Sequence, residues 1–533
     1  MIKKYFYFLL VCFFISCEQS ITPVETAIED KILYLGNGTE PQDLDPHIVT
    51  GVPEHNIIIA LLEGLMIANP QGGAPLPGVA ESWDVSSDGK VYIFKIKDQA
   101  LWSNGDEVTA ADFVFSWKRI LTPSLGAQYA DMLYILKNAE PFNKGKIKDF
   151  SQVGVRAVDA KTLRVELNNP TPYFLNLLTH YSSYPVHRPT IEKFGEIDTR
   201  GSKWTREENF IGNGPFILKE WQLNKVLIVK KNTNYWNSNI VDLNEIHFFP
   251  IDDVSREDRM YRSGYLHLAY STPQEKIETY RTKYPDHLRI EPYFGTYYYR
   301  VNTLKKPFNN PLVRKALSLA INRDDIVNKV MKGGQSIAFS FTPPDKKGYF
   351  SNTQLDFDPQ LAKNLLREAG FSKGKFPIVE LLYNTSEGHQ KVAQAIQQMW
   401  KLNLGIDVEL VNVDWKVYLS RELSGDFTIS RAGWIGDYPD PNSFLDMMVT
   451  GRGNNKTGWS NSEYDNLVKL AASAKSTNER FKLFREAESI LVNELPVIPI
   501  YTYTRVYMLH PDVKGWYPNI LDTHPYQFIR LEK

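Results

Sequence analysis

Between Ile429 and Leu445 the chain reads Ile-Ser-Arg-Ala-Gly-Trp-Ile-Gly-Asp-Tyr-Pro-Asp-Pro-Asn-Ser-Phe-Leu, so a guanidinium, an indole and a carboxylate lie within seven residues at Arg431, Trp434 and Asp437. A cation and an anion on either side of a broad apolar face suit a zwitterionic ligand better than a reaction. Gly433 and Gly436 let the backbone approach a ligand closely. The same residues also read as a strand ending in a turn. Asp437 and Asp440 lie close before prolines, and Asp-Pro-Asn-Ser suits the cap of a helix begun by Phe444, Leu445 and Met448. Both readings stand at this level.

Paired carboxylates and aromatics would also serve a secreted hydrolase acting on glycosides, the enzymatic alternative. No constellation supports it. The sequence holds no His-Glu-x-x-His and no Gly-x-Ser-x-Gly. Gly451-Arg452-Gly453-Asn454-Asn455-Lys456-Thr457 resembles a phosphate loop but lacks the glycine before the lysine. The expectation is binding without turnover, with no catalytic residue, metal or cofactor.

The chain has 61 basic and 62 acidic residues, a balance that offers no field for nucleic acid or an anionic membrane surface. Its 533 residues exceed one ordinary core, so several domains are expected, in a monomer. Lys3 and Lys4 precede the apolar run Tyr5 to Ile15, which is too short for a membrane-spanning helix of about 20 residues and reads as a secretion signal. Phe14-Ile15-Ser16-Cys17 resembles the bacterial lipobox, with Phe14 in place of the usual leucine. Cys17 is the expected lipid attachment site and mature N-terminus, anchoring the protein to a membrane in the bacterial cell envelope. A chance cysteine in an ordinary signal peptide is the other reading. Cys12 lies inside the signal, so the mature chain would form no internal disulfide. Residues 18–30 are polar, without clear periodicity, and read as a tether.

The elements that must position the candidate residues follow from periodicity. Tyr92, Phe94 and Ile96 alternate as on a strand. Thr109 and Asp112 fit a capping arrangement before Phe113, Val114, Trp117, Ile120 and Leu121, so Trp102 and Trp117 read as core. Val226 to Val229 and Ile246 to Phe249 read as strands. Pro311 and Asp358-Pro359 open helices, and a helix is expected around Val392, Ile396 and Trp400. With strands at Ile378 to Tyr383 and Ile406 to Val413, this alternation predicts an α/β domain with parallel strands. Turns at Phe294-Gly295 and Pro499-Ile500 bracket it as candidate hinges.

Ala80-Glu81-Ser82-Trp83, Asp88-Gly89, Leu101 to Gly105 and Val108 to Phe113 resemble the pattern of the peptide/nickel class of extracytoplasmic solute-binding proteins of ABC importers, family 5. Leu44 to His47, Gly51 to Glu54, Thr296 to Tyr299, Tyr383 to Ser386, Asp414 to Lys416 and Arg431 to Trp434 resemble its oligopeptide-binding branch and the murein-peptide-binding relatives. The likeness runs from about residue 31 to the C-terminus. It implies the α/β clamp of periplasmic binding proteins of type II. Residues 31–66, 191–293 and 505–533 would form lobe I, 67–190 an additional domain, and 294–504 lobe II. It further implies capture of oligopeptides by lobe closure and delivery to an ABC permease with its ATPase subunits. Murein tripeptide is the alternative ligand.

By the same likeness Asp437 would hold the peptide ammonium, and Arg431 and His389 would meet the carboxylate, with a solvated helix-start histidine as the other reading of His389. Glu54, Tyr129, Asn384, Trp415, Trp434 and Tyr503 match lining positions, although packing explains each aromatic equally. Tyr298 and Arg300 share one face of a strand. If that face lines the pocket, a cation where relatives often carry an acid favours acidic ligand side chains. A solvated arginine is the other reading.

Overall fold

The alternating apolar residues near Tyr92 form the strand Val91–Ile96, which lies between Ala80–Val85 and Thr162–Glu166 in a four-stranded antiparallel sheet completed by Val155–Asp159. The helix Ala110–Leu121 packs on it. Asp112 accepts a hydrogen bond from the Thr109 backbone N–H at 2.8 Å, closing the capping box. Trp102 and Trp117 are buried core residues. This is a computed structural model, and it describes residues 21–344, 348–371, 376–474 and 476–533. Cys17 and residues 18–20 lie outside them.

A second, 11-stranded sheet carries the rest of the architecture. Its order is Val408–Val413, Val379–Asn384, Ile429–Ile435, Leu288–Val301, Val497–Leu509, Leu268–Ala269, Ile32–Gly36, Glu245–Phe249, Val226–Lys231 and Phe216–Gln222, with Ser336–Ile337 off this path on Val497–Leu509. The two long strands Leu288–Val301 and Val497–Leu509 belong to both halves. Leu288 to Pro292 pair with the far end of their partner, Met508 to Thr504, and Thr296 to Arg300 with its near end, Thr502 to Val497. Helices Pro311–Leu319 and Glu387–Leu404 contribute Val313, Leu317, Ile396 and Trp400 to the core of one half.

Three expectations are corrected. The α/β region is not purely parallel: Val379–Asn384 pairs in parallel with both neighbours, but Ile429–Ile435 is antiparallel to Leu288–Val301. The long strands arrive from the other half of the sheet, so no crossover helix dictates their direction. Phe294-Gly295 and Pro499-Ile500 are not turns but lie inside those strands. Register shifts between Pro292 and Thr296 and between Tyr297 and Tyr298 absorb the proline and glycine. Glycine suits position 295 because a Cβ would lie 2.9 Å from the Trp434 backbone carbonyl oxygen as well as against the end of Ile435. The tether reading of residues 18–30 also changes, since Pro23–Asp30 is a helix with Thr22 and Glu25 in a capping box, docked through buried Val24 and Ala27.

A buried ion pair ties the segment before the first long helix to Ala110–Leu121. Arg119 donates to both oxygens of Asp45 at 2.8 and 2.6 Å, with side chains 0% and 3% exposed. Burial opposes ionisation of Asp45, but Arg119 holds its carboxyl below the ordinary range. His47 donates from Nε2 to the Tyr184 carbonyl and accepts from Arg119 on Nδ1. Arg119→Met leaves the carboxylate buried and unpaired, so it should cost about 3–5 kcal/mol. Adding Asp45→Leu should recover part of that loss. Urea midpoints of the two variants check both.

Candidate functional site

A cavity of about 470 Å³ lies between the two halves of the large sheet, within the size of ordinary ligand sites. Nine of the ten candidate binding residues line it: Asp437, Arg431, His389, Asn384, Trp415, Trp434, Tyr129, Tyr503 and Arg300. Glu54 does not. It is fully buried behind Gly51, accepts from the Gln42 backbone N–H at 2.6 Å, and has its pKa pushed up to about 7 by burial. Gly51 has no Cβ because the Glu54 carboxylate and the Trp415 ring occupy that space.

The turn after Ile429–Ile435 separates the two readings of its aspartates. Asp440 accepts from the Asn442 backbone N–H at 2.9 Å and is paired with Arg480 at 2.8 and 2.6 Å. The structural work therefore falls to Asp440. Asp437 lines the cavity, and its backbone N–H donates to Ser443 Oγ at 2.7 Å. Among the described residues its carboxylate meets neutral donors alone: Tyr129 Oη at 3.3 Å, Ser443 Oγ at 3.4 Å and His180 Nε2 at 3.5 Å. His180 Nδ1 accepts from the Ser182 backbone N–H, which leaves the ring proton on Nε2, toward Asp437. Burial holds His180 neutral, well below its ordinary pKa. Burial, with Asp131 adding to it, pushes Asp437 up to about 8. Trp434 spends its one donor on the Ser443 carbonyl at 2.8 Å and presents an apolar face.

Arg431 stands over the Tyr297 ring at 5.0 Å and donates to Tyr503 Oη at 2.9 Å and Asn384 Oδ1 at 3.3 Å. Among the described residues it has no carboxylate partner. Gly433 leaves room for Tyr503, whose hydroxyl would lie 2.5 Å from a Cβ there. His389 does sit at a helix start, in the first turn of Glu387–Leu404, but half-buried and lining the cavity, with its ring 5.6 Å from Tyr297. Burial and the Arg431 charge keep it neutral. Trp415 stacks on Tyr418 at 5.5 Å. Arg300 is 5% exposed, so the solvated reading fails. It donates to Tyr298 Oη at 3.0 Å and is ion-paired with Glu422. Sequence reasoning missed His180, Ser443, Glu422 and Lys456. Ser443 had a local signal as a cap residue and Lys456 as part of the Gly451 to Thr457 loop, and His180 lies in the polar and aromatic run Thr179 to Tyr184.

The family model for bacterial extracellular solute-binding proteins, family 5 Middle, matches residues 74–456. The chain belongs to this family. The periplasmic oligopeptide-binding protein OppA of Salmonella typhimurium is 38% identical over 505 residues, covering 93% of this family 5 chain and 91% of that protein. The Haemophilus influenzae OppA complex with RPPGFSPFR matches with a TM-score of 0.90 at 34% identity, covering 95% of this chain and 99% of that one. A structure of the Escherichia coli murein tripeptide binding protein MppA also reaches 0.90 at 35% identity, over 94% and 98% of the two chains. Its unliganded open form reaches only 0.63 at the same identity and coverage. The family 5 protein is thus the periplasmic binding protein clamp, in an arrangement unlike that open form.

Closing the clamp without a ligand has a pH dependence whose sign is fixed by these groups. Burial raises Asp437 to about 8 and Asp131 to about 6. In an open, hydrated clamp they would titrate near about 4. The closed empty state therefore binds protons that the open state does not, and closure gains as pH falls through 8, by up to about 1.4 kcal/mol per unit for each group. His180, His389 and His55 are pushed down by burial, so they oppose closure below about pH 6.5. Lys456, brought down to about 8 by burial, opposes the gain on acidification above that pH, so small-angle scattering of ligand-free protein should show the closed fraction rising from pH 7.5 to 6.5 and then levelling. Asp437→Asn should remove most of that rise; a flat profile in the native protein contradicts the assignment.

Proposed function

We propose that this family 5 protein is the extracytoplasmic binding component of an ABC importer, which captures oligopeptides by closure of its two lobes and delivers them to a membrane permease and its ATPase subunits. The observation that carries the reading is a closed cavity holding a carboxylate at Asp437 and a guanidinium at Arg431, each without a counter-charge among the described residues. A peptide supplies both missing charges, its ammonium to Asp437 and its carboxylate to Arg431, with His389 as a further polar contact. Backbone recognition has a place as well. Parallel pairing of Ile429–Ile435 with Val379–Asn384 ends at Ser430, and the Arg431 carbonyl accepts from Tyr418 Oη, so Ala432 to Ile435 leave an edge with no partner strand among the described residues where the cavity lies. An extended peptide bonded along such an edge is held by groups every peptide has, which permits sequence tolerance. Trp434, Trp415, Tyr129, Asn384 and Tyr503 then form its walls.

Lobe I is assigned to residues 31–66, 191–293 and 505–533, the additional domain to 67–190 and lobe II to 294–504. This division is supported by the four-stranded sheet lying within 67–190 and by the large sheet being shared through its two long strands. The family is one of solute-binding proteins, so peptides should be recovered intact. The likeness to MppA keeps murein tripeptide among the candidate ligands. We place the protein in the periplasm or on the outer face of the envelope, anchored through Cys17. Cys17→Ser should then release it into the soluble fraction or leave its signal uncleaved; membrane-bound, normally cleaved protein refutes the anchor.

The peptide reading is tested at Asp437. Removing one partner of a buried charge pair typically costs roughly 2–5 kcal/mol. Asp437→Asn and N-acetylation of a peptide should each weaken binding by about one and a half to more than three decades, at 1.4 kcal/mol per decade. The losses should not add, because both abolish one contact. Calorimetry on the four combinations checks this: full affinity for the acetylated peptide, or additive losses, removes Asp437 from the role.

A further inference from the structure

One part of the cavity wall carries charges that neither end of a bound peptide uses: Arg300, Glu422 and Lys456. They come from the strand Leu288–Val301, the helix Trp415–Ser424 and the loop after Val449. Arg300 and Glu422 neutralise each other as a buried ion pair, and Glu422 also accepts from Ser430 Oγ at 2.6 Å. Burial opposes the charge on Glu422, but Arg300 and then Lys456 hold its pKa below the ordinary value. One carboxylate thus faces two cations.

The surplus cation is Lys456. It is half-buried, lines the cavity, and makes no ion pair among the described residues. Its position is fixed by its neighbours. Asn455 Nδ2 donates to the carbonyls of Met448 and Trp459 at 3.0 and 3.2 Å, and its Oδ1 accepts from Thr457 Oγ1 at 2.7 Å. The Thr457 carbonyl in turn accepts from the Thr303 backbone N–H at 2.8 Å and from its hydroxyl at 2.9 Å. Lys456 therefore projects from a pinned loop and not from a loose surface turn. Burial brings its pKa down to about 8, which leaves it mostly protonated at neutral pH.

We propose that Lys456, backed by the Arg300–Glu422 pair, forms a subsite for an acidic side chain of the bound peptide. The proposal rests on the peptide reading above and names the side-chain chemistry that reading leaves open. A glutamate or aspartate carboxylate would accept from Lys456 Nζ and bring the cluster to two charges of each sign. A ligand lysine there would add a third cation to a site with one carboxylate, and could reach Glu422 only by displacing Arg300. The subsite differs from a preference set by Arg300 alone, because the charge of Arg300 is already matched within the protein.

The test is calorimetry of the native protein with tetra-alanine and its four single glutamate, glutamine and lysine substitutions. At one position the glutamate peptide should bind about tenfold or more tightly than the glutamine peptide, and the lysine peptide more weakly than either. In Lys456→Met, or in Lys456→Gln if the first variant is unstable, the glutamate-to-glutamine ratio at that position should fall to less than about threefold. Equal glutamate and glutamine affinities at all four positions in the native protein overturn the proposal, and no variant is needed to see that. A glutamate advantage that survives both substitutions also overturns it. Failure of tetra-alanine and every substituted peptide to bind at all strikes the peptide reading instead.

Discussion

The closed cavity confines a carboxylate and a guanidinium on one strand and its following turn, and among the described residues supplies a counter-charge to neither. Arg119, Arg480 and Arg505 each meet an aspartate, while the buried Arg314 and Arg323 spend their donors on backbone carbonyls outside the cavity. An unpaired charge taken out of water costs several kcal/mol unless it is neutralised or matched. Asp437 answers by holding a proton up to about pH 8, an escape that arginine does not have. Arg431 relies on the Tyr297 face and on hydroxyl and amide acceptors. The empty closed state is therefore electrostatically incomplete, and the rest of the architecture serves to make that state reachable yet dependent on a ligand.

Reaching it requires a fold whose halves separate without tearing the sheet. Among the described residues, Leu288–Val301 and Val497–Leu509 alone run through both halves, and their pairing is interrupted between Pro292 and Thr296. A register break with a glycine beside it bends more readily than a continuous ladder. The contacts that closure adds are modest in kind. Tyr173 stacks on Tyr438 at 4.8 Å, the Gly453 backbone N–H donates to Asp131 at 3.2 Å, and Lys391 meets Glu275 at 3.3 Å with both side chains exposed. Exposed ion pairs of that sort contribute little.

Local chemistry was legible in the sequence and long-range chemistry was not. Thr109 with Asp112, Pro311 and Asp358 mark helix starts because capping is settled within four residues. The Arg431 to Asp437 stretch was legible for the same reason, since its strand and turn carry cation, aromatic and anion together. What surrounds Asp437 was not: Tyr129 lies 308 positions away, and His180 comes from a segment similarly remote in the chain. Arg300 shows the same division. Its face followed from alternation, but its partner Glu422 stands on a helix 122 residues later, and that pairing decides which cation remains free. Glycine and proline at Phe294-Gly295 and Pro499 read as turns because their effect inside a bulged strand depends on the register of a partner. The eight-residue helix Pro23–Asp30 was too short, with only two buried contacts, to show a period.

The missing counter-charges also account for selectivity without side-chain readout. Had a lysine stood beside Asp437, the closed cavity would be stable when empty and a peptide amino terminus would have to displace it. Neutral donors avoid that competition: Tyr129, Ser443 and His180 orient the carboxylate but leave its charge unspent. A ligand blocked at its amino terminus gains the same walls and the same strand edge, yet closes the clamp over an uncompensated group. Discrimination then arises from what the wrong ligand leaves unpaired, which separates partners more sharply than added contacts to the right one.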